Sequence, residues 1–172
     1  MNWKRLLLVV SALVIAACHY DKPLGPAAGL EAPAGLVGRW KFQADPADND
    51  KEDGFLVVHR TAEKRLVIDH QVSATEHWYF TGYPCLAGHP EIFELQFLGD
   101  STGKPNTEKP FLIVRAKLDG DTLSWSTLDT DKLAPGDDAE AFRKALTAAV
   151  EKNADVFVKP QAWKREKVAE PK

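Results

Sequence analysis

The chain is 172 residues long, carries a formal net charge of −3 and contains two cysteines. That length is enough for one domain with its own hydrophobic core. The mildly acidic balance argues against nucleic acid as a partner and against electrostatic docking on anionic lipid.

The first eighteen residues have the layout of a secretory signal. Lys4 and Arg5 form a basic start, an apolar run from Leu6 to Ile15 follows, and small residues precede Cys18. The apolar run through Ala17 is about 12 residues, or roughly 18 Å of helix, against a hydrocarbon core of about 30 Å. The pattern therefore predicts a cleaved signal peptide over residues 1–17 rather than a membrane span.

The residues at the cleavage site resemble the lipobox of bacterial lipoproteins, in which an aliphatic residue and two small residues precede an obligatory cysteine. Here they are Ile15, Ala16, Ala17 and Cys18. The resemblance implies that the Cys18 sulfur is joined to a diacylglycerol, that the chain is cut before Cys18, and that the new amino group is acylated, as with palmitate. The alternative is an ordinary signal peptide with an accidental cysteine.

The same resemblance predicts a location. Two or more acyl chains hold a protein stably on a membrane, whereas one chain binds marginally. In that family, retention at the inner membrane is assigned mainly to Asp directly after the lipidated cysteine, and His19 stands there instead. We therefore expect the protein on the periplasmic face of the outer membrane, bound to it through the lipid on Cys18.

Lipidation of Cys18 would leave Cys85 without a partner in the chain, so stability is expected to come from packing rather than from an intramolecular disulfide. Removing the signal also removes Lys4 and Arg5, which takes the formal charge from −3 to −5. Cys85 is predicted to be a structural thiol in a turn-like stretch over residues 83–88, because no catalytic signature surrounds it.

Residues 18–34 are predicted to form a flexible tether of at most about 50 Å. Pro23, Pro26 and Pro33, together with several glycines and alanines, leave this stretch no face to bury.

From residue 35 the sequence alternates between apolar and polar residues, which predicts strands with one dry and one wet face. Phe93, Leu95 and Phe97 face one way, for example, and Glu94 and Gln96 the other. The seven predicted strands are residues 35–42, 55–59, 65–72, 76–81, 92–98, 111–118 and 122–128.

The boundaries of several elements are also predicted. Gly82 and Pro84 are expected to end the fourth strand. Residues 119–121 read Asp-Gly-Asp between two alternating runs, which is the strongest hairpin signal in the chain. Asp137 or Asp138 is expected to cap a helix that continues through Asn153 and packs on the sheet or plugs an opening. Residues 155–158 and 163–165 can supply one or two closing strands.

These elements predict a mainly β fold, an antiparallel, closed or nearly closed barrel of about eight strands with one α-helix in the C-terminal half. Closure would remove exposed sheet edges. The folded domain is predicted to span residues 35–166, and residues 167–172 form a polar tail.

The Gly38-x-Trp40 pair on the first strand, with a helix near the end of the chain, resembles the opening of the lipocalin and wider calycin group. The resemblance implies a lipocalin-like barrel in which Trp40 packs at the closed end against a basic residue of a late strand, for which Arg165 is the candidate. The second lipocalin signature, a Thr-Asp-Tyr type turn, is missing from the middle of this chain.

No stretch of the sequence carries a catalytic or metal-binding signature. His59, His70, His77 and His89 stand at no zinc-site spacing, and the chain has no Gly-x-Ser-x-Gly elbow, phosphate loop or dinucleotide fingerprint. We therefore predict no catalytic residues, no metal, no cofactor and no enzymatic activity.

Aromatic residues are the remaining candidates. They fill the barrel core, or some of them line a cavity for an apolar ligand. Arg115 is either on the wet face or an anchor for an anionic headgroup, and the exposed position is favoured. The leading hypothesis is a noncatalytic lipoprotein that binds a small apolar ligand or lipid in envelope maintenance; the alternative is a protein-interaction module such as a periplasmic hydrolase inhibitor. The candidate cavity residues are Trp78, Phe80, Phe93, Phe97 and Trp125.

Overall fold

A computed structural model describes residues 19–20, 22–43, 54–103 and 110–166. The predicted signal peptide, the lipobox, Cys18 and the tail from 167 to 172 lie outside these residues. The strands are β1 His19–Tyr20, β2 Gly38–Gln43, β3 Phe55–Arg60, β4 Leu66–Gln71, β5 His77–Leu86, β6 His89–Asp100, β7 Phe111–Asp119, β8 Thr122–Thr127 and β9 Gln161–Arg165; a 3-10 helix spans Ala34–Leu36 and helix α1 spans Ala139–Glu151.

Eight of the strands close into an antiparallel barrel. Strands β2 to β8 pair in sequence order, and β9 pairs with both β8 and β2, which completes the ring. The predicted fold class is therefore confirmed. Strand β1 lies beside the ring and pairs with the N-terminal end of β7.

The side chains that point into the barrel form its hydrophobic core, as the period-two pattern predicts. They come from all eight strands of the ring and from the residues just before β2. The buried members are Ala32, Leu36, Trp40, Leu56, Val58, Leu66, Ile68, Phe80, Phe93, Leu95, Leu112, Val114, Ala116, Leu123 and Trp163.

The predicted hairpin and helix are both present. Asp119 pairs with Thr122, so the turn consists of Gly120 and Asp121, and Gly120 takes the left-handed φ of +55° that such a turn requires. Asp138 caps α1 by accepting hydrogen bonds from the N–H groups of Glu140 and Ala141. Helix α1 lies on the outside of the barrel, where Phe142, Leu146 and Val150 join a second hydrophobic cluster with outward residues of β6 and β7.

The fourth predicted strand does not end at Gly82 and Pro84. Strand β5 continues to Leu86, because a side chain at Gly82 would lie 2.3 Å from Leu95 and the glycine lets β5 and β6 approach closely. A register shift beside Pro84 accommodates its missing N–H. Cys85 is consequently a buried strand residue and not part of a turn.

Residues 155–158 form no strand of their own, so the barrel has one of the one or two closing strands that the sequence predicts. Within the described residues Phe157 makes a single bridge to Leu128. The barrel is closed by β9 alone.

The described part of the predicted tether is packed against the barrel rather than free. Leu24, Ala27 and Ala32 are buried, and the Ala27 N–H donates to the Pro84 carbonyl at 3.0 Å. The prediction was wrong because small apolar residues bury well even where proline and glycine prevent regular structure. We call residues 22–36 the N-terminal strap.

Candidate functional site

One end of the barrel is closed by the N-terminal strap. Ala32 and Leu36 reach the barrel core, and the Trp40 indole N–H donates to the Leu36 carbonyl at 2.9 Å. The Arg165 guanidinium lies over the Trp40 ring, with its carbon 4.2 Å from the ring centroid, so the expected contact between these two residues is confirmed.

Arg165 also ties β9 to the chain before β2. Its Nη1 donates to the Val37 carbonyl at 3.0 Å, and its Nη2 donates to the Gly35 carbonyl. Gly38 has a φ of +142°, and a side chain there would lie 2.7 Å from Nη1 of Arg165. The glycine of the Gly38-x-Trp40 pair therefore leaves room for the arginine that covers the tryptophan.

The opposite end of the barrel carries an aromatic cluster made by four different strands. Phe42 of β2 meets Trp163 of β9 at 5.2 Å between ring centroids, and His70 of β4 lies 5.6 Å from both Trp163 and Trp78 of β5. The pairing places Phe42 opposite Trp163 and His70 opposite Trp78. We call Phe42, His70, Trp78 and Trp163 the aromatic mouth.

Within the aromatic mouth His70 behaves as an apolar ring. Burial lowers its pKa from 6.5 to about 4, because the protonated form would lose its hydration. His70 is therefore neutral at pH 7. The indole N–H of Trp163 is buried and has no hydrogen-bond partner among the described residues. The mouth thus combines aromatic surface with one unused donor.

The structure brings all five predicted cavity residues into the same interior cluster. Phe93 and Phe80 are core residues, 1% and 7% exposed, whereas Trp78, Phe97 and Trp125 are only partly buried. Phe80 and Phe97 contact each other with ring centroids 5.2 Å apart. The prediction did not include the other residues of the aromatic mouth, which are His70, Phe42 and Trp163. Their contacts depend on how the strands pair, and the residue pattern within a single strand does not show that pairing.

A cluster of polar groups lies outside the barrel, under the strap. The exposure of its central residue differs from the prediction. Glu94, predicted on a wet face, is 1% exposed. Its Oε1 accepts from the Tyr20 hydroxyl at 2.6 Å and the Leu24 N–H at 2.7 Å; its Oε2 accepts from the Gly25 N–H and the Tyr83 hydroxyl, both at 2.8 Å. Every one of these groups donates to the carboxylate, so Glu94 acts as a clamp for the strap.

Helix α1 completes this clamp. Arg143 donates to the carbonyls of Leu24 and Gly25 in the strap and to the Cys85 carbonyl in β5. Burial first, and then the neighbouring Glu94 charge, raises the pKa of the Cys85 thiol well above its ordinary value. Cys85 is therefore protonated and unreactive at neutral pH.

Two other histidines make local pairs on the outer surface. His77 Nδ1 lies 2.9 Å from Asp69 Oδ1, and His89 Nδ1 lies 3.5 Å from a Glu91 oxygen. His59 is exposed. Across the residues that the structure describes, no three His, Cys, Asp or Glu side chains are grouped so as to hold a metal ion, and none of their helices combines the length and hydropathy needed to cross a membrane.

Two depressions mark the outer surface. One, of about 380 Å³, lies between the strap, Tyr83 and the residues that connect β3 to β4. The other, of about 180 Å³, lies on the outer face of β7 and β8. None of the five predicted cavity residues lines either depression.

Comparison with known proteins adds no relative: no family model matches the chain, and no similar protein was found among the curated ones.

Proposed function

We propose that this protein is a lipid-anchored lipoprotein of the bacterial cell envelope, facing the periplasm, whose barrel binds a small apolar ligand such as a fatty acyl chain. The observation that carries the ligand part of the proposal is the aromatic mouth. Four aromatic side chains from four strands meet at the end of the barrel opposite the strap, and the one titratable ring among them is neutral.

Two further features support this proposal. Trp78, Phe97 and Trp125 remain partly exposed while they pack on the barrel core, as the lining of a ligand site does. The unpartnered N–H of Trp163 offers a hydrogen bond to a ligand carbonyl or carboxyl oxygen. The stacking of Arg165 on Trp40 agrees with the lipocalin resemblance, in which this contact closes one end of the barrel.

A noncatalytic role fits the polar groups that the structure describes. The buried carboxylate of Glu94 is fully engaged by four donors, and the buried thiol of Cys85 is protonated. Neither group is available as a base or a nucleophile.

Native mass spectrometry of the full chain, purified in a non-ionic detergent after expression in a Gram-negative bacterium, tests the ligand. We expect a bound mass in the range of a fatty acid or lipid, and its loss in Trp78→Ser. The matched control is Tyr79→Ser, because Tyr79 is the next residue of β5 but faces outward and is 38% exposed. A ligand-free wild-type protein that also fails to take up added fatty acid would refute the proposal.

A protein-interaction module, such as a hydrolase inhibitor, is the second candidate, and a different surface favours it. Tyr79 and Leu98 are two of the three large hydrophobic residues that are exposed in the described chain, and a bulge at Leu98 places them beside each other on β5 and β6. If this function holds, Tyr79→Ser abolishes capture of a periplasmic hydrolase and Trp78→Ser does not. The two variants therefore separate the two functions.

A further inference from the structure

The smaller surface depression, which we call the outer pocket, is built from cations and hydroxyls. Arg115 and Lys117 of β7 stand directly opposite Ser126 and Ser124 of β8, and all four side chains line the pocket. Since residues two apart in a strand share a face, the four groups point to the same side of the sheet. The chain around Phe157 forms the far wall.

Arg115 is held in a position to bind an anion. Its guanidinium lies over the Phe157 ring, 4.0 Å from the centroid, which covers one flat face and leaves the N–H groups in the plane. Its Nε atom is buried and has no hydrogen-bond partner among the described residues. A buried donor without an acceptor is unfavourable, and a small shift of the guanidinium towards an anionic oxygen in the pocket would relieve that cost.

Two acidic side chains lie near the outer pocket. Asp155 lines the pocket but accepts a hydrogen bond from Lys132 at 2.8 Å. Glu91 of β6 is the acidic group that acts on Arg115, and it offsets only one of the two cations that line the pocket. Arg115 and Lys117 therefore leave the pocket with positive charge.

We propose that the outer pocket binds a phosphate group, either free or as the ester of a lipid headgroup. The planar guanidinium, the lysine and the two hydroxyls supply donors from two strands, which suits the several oxygens of a phosphate. The pocket has a volume of about 180 Å³ and is open to solvent on one side, so it can admit a phosphate group. This site is separate from the aromatic mouth and does not depend on the ligand proposed there.

The test follows the backbone N–H resonances of Ser124 and Ser126, which line the pocket in wild type and in every variant, by ¹⁵N NMR in the full chain in non-ionic detergent. In wild type the Nε–H resonance of Arg115 is followed as well. Inorganic phosphate, glycerol phosphate and short-chain phosphatidylglycerol are added in turn. We expect a saturable shift, with binding weakened about tenfold or more in Arg115→Gln and severalfold in Lys117→Gln. Lys117 is exposed, so its variant tests the site without risk to folding.

Arg39→Gln is the matched control. Arg39 also stacks on an aromatic ring, that of Phe55 at 4.0 Å, but its charge is already paired, because its Nε lies 2.6 Å from a Glu166 carboxylate oxygen. Equal binding of all three compounds would support a free-phosphate site, and tighter binding of the phospholipid a headgroup site. A shift that does not saturate, or one that is the same in wild type and in Arg115→Gln, would overturn the proposal.

Discussion

Glu94 shows what a single residue contributes when a neighbouring segment covers it. Its carboxylate accepts four hydrogen bonds at 2.6–2.8 Å and is buried on the outside of the barrel. A carboxylate is an acceptor at both oxygens, which is what four converging donors require. The charge is tolerated there because the hydrogen bonds replace its hydration.

Glu94→Gln is expected to destabilise the protein by about 2–4 kcal/mol, because the amide turns one oxygen into a donor that faces other donors. The measurement is the free energy of unfolding in urea. Gln96→Ala is the control: Gln96 lies two residues along the same face of β6 but is exposed, so its loss is expected to change stability by less than about 0.5 kcal/mol. Equal effects of the two substitutions would show that Glu94 is not a clamp.

His70 makes stability depend on pH. Its pKa is about 4 in the folded protein against an ordinary value of 6.5, so between these values the unfolded chain binds more protons than the folded one. The contribution of neutral His70 is therefore complete above pH 6.5 and is lost as pH falls towards 4. We expect a loss of about 2 kcal/mol, less than the shift alone implies because the ring keeps some contact with solvent.

Urea unfolding at pH 7.5 and pH 4.5 measures this loss. His70→Gln is expected to show a smaller decline between the two pH values than wild type. His59→Gln removes an exposed histidine of β3 and should decline as wild type does. If His70→Gln and wild type decline equally, the ring is not held neutral by burial.

At the level of elements, the strap is the segment whose behaviour differs most from the prediction. The amides of Leu24, Gly25 and Ala27 donate at 2.7, 2.8 and 3.0 Å. We expect hydrogen exchange at these amides to be slowed as it is in the barrel strands, and to accelerate in Glu94→Gln. The exposed turn at Ala28 and Gly29 is the internal reference for fast exchange. If the amides of Leu24 and Gly25 exchange as fast as those of this turn, the segment is a free tether, as the sequence predicts.

The elements that the sequence predicted well are those with a local cause. The Asp-Gly turn at 119–121 and the Asp138 cap depend on their own backbone geometry, and alternation depends on which face is dry. The continuation of β5 past Gly82 has a distant cause, the approach of Leu95 in the next strand. Such contacts between strands leave no mark on the sequence of either one.

The residues of the candidate site also differ in whether the sequence alone predicts them. Trp78, Phe97 and Trp125 were recognised as candidates because aromatic residues on a dry face stand out. His70 contacts both Trp78 and Trp163, and these contacts arise only from the register of the strands. Glu94 was misplaced because alternation describes the barrel wall and takes no account of a segment that packs outside it.

At the scale of the whole molecule, the packed strap would hold the barrel against the bilayer if Cys18 carries the proposed lipid. Tyr20 already contacts Phe142 of α1 and donates to Glu94, so only about 7 Å of chain separates the lipidated residue from the folded body. The predicted tether would have allowed about 50 Å.

Neutron reflectometry on a supported bilayer measures this separation. We expect the full lipidated chain to form a protein layer with a hydrated gap below about 10 Å, since two residues span no more than about 7 Å. Glu94→Gln is expected to widen the gap by loosening the strap, and Gln96→Ala is expected to leave it unchanged.

Cys18→Ala should form no layer and should appear in the soluble fraction, because the proposed anchor is the acyl chains alone. A gap near 50 Å in wild type would contradict the packed strap, and a membrane-bound Cys18→Ala protein would contradict the lipid anchor.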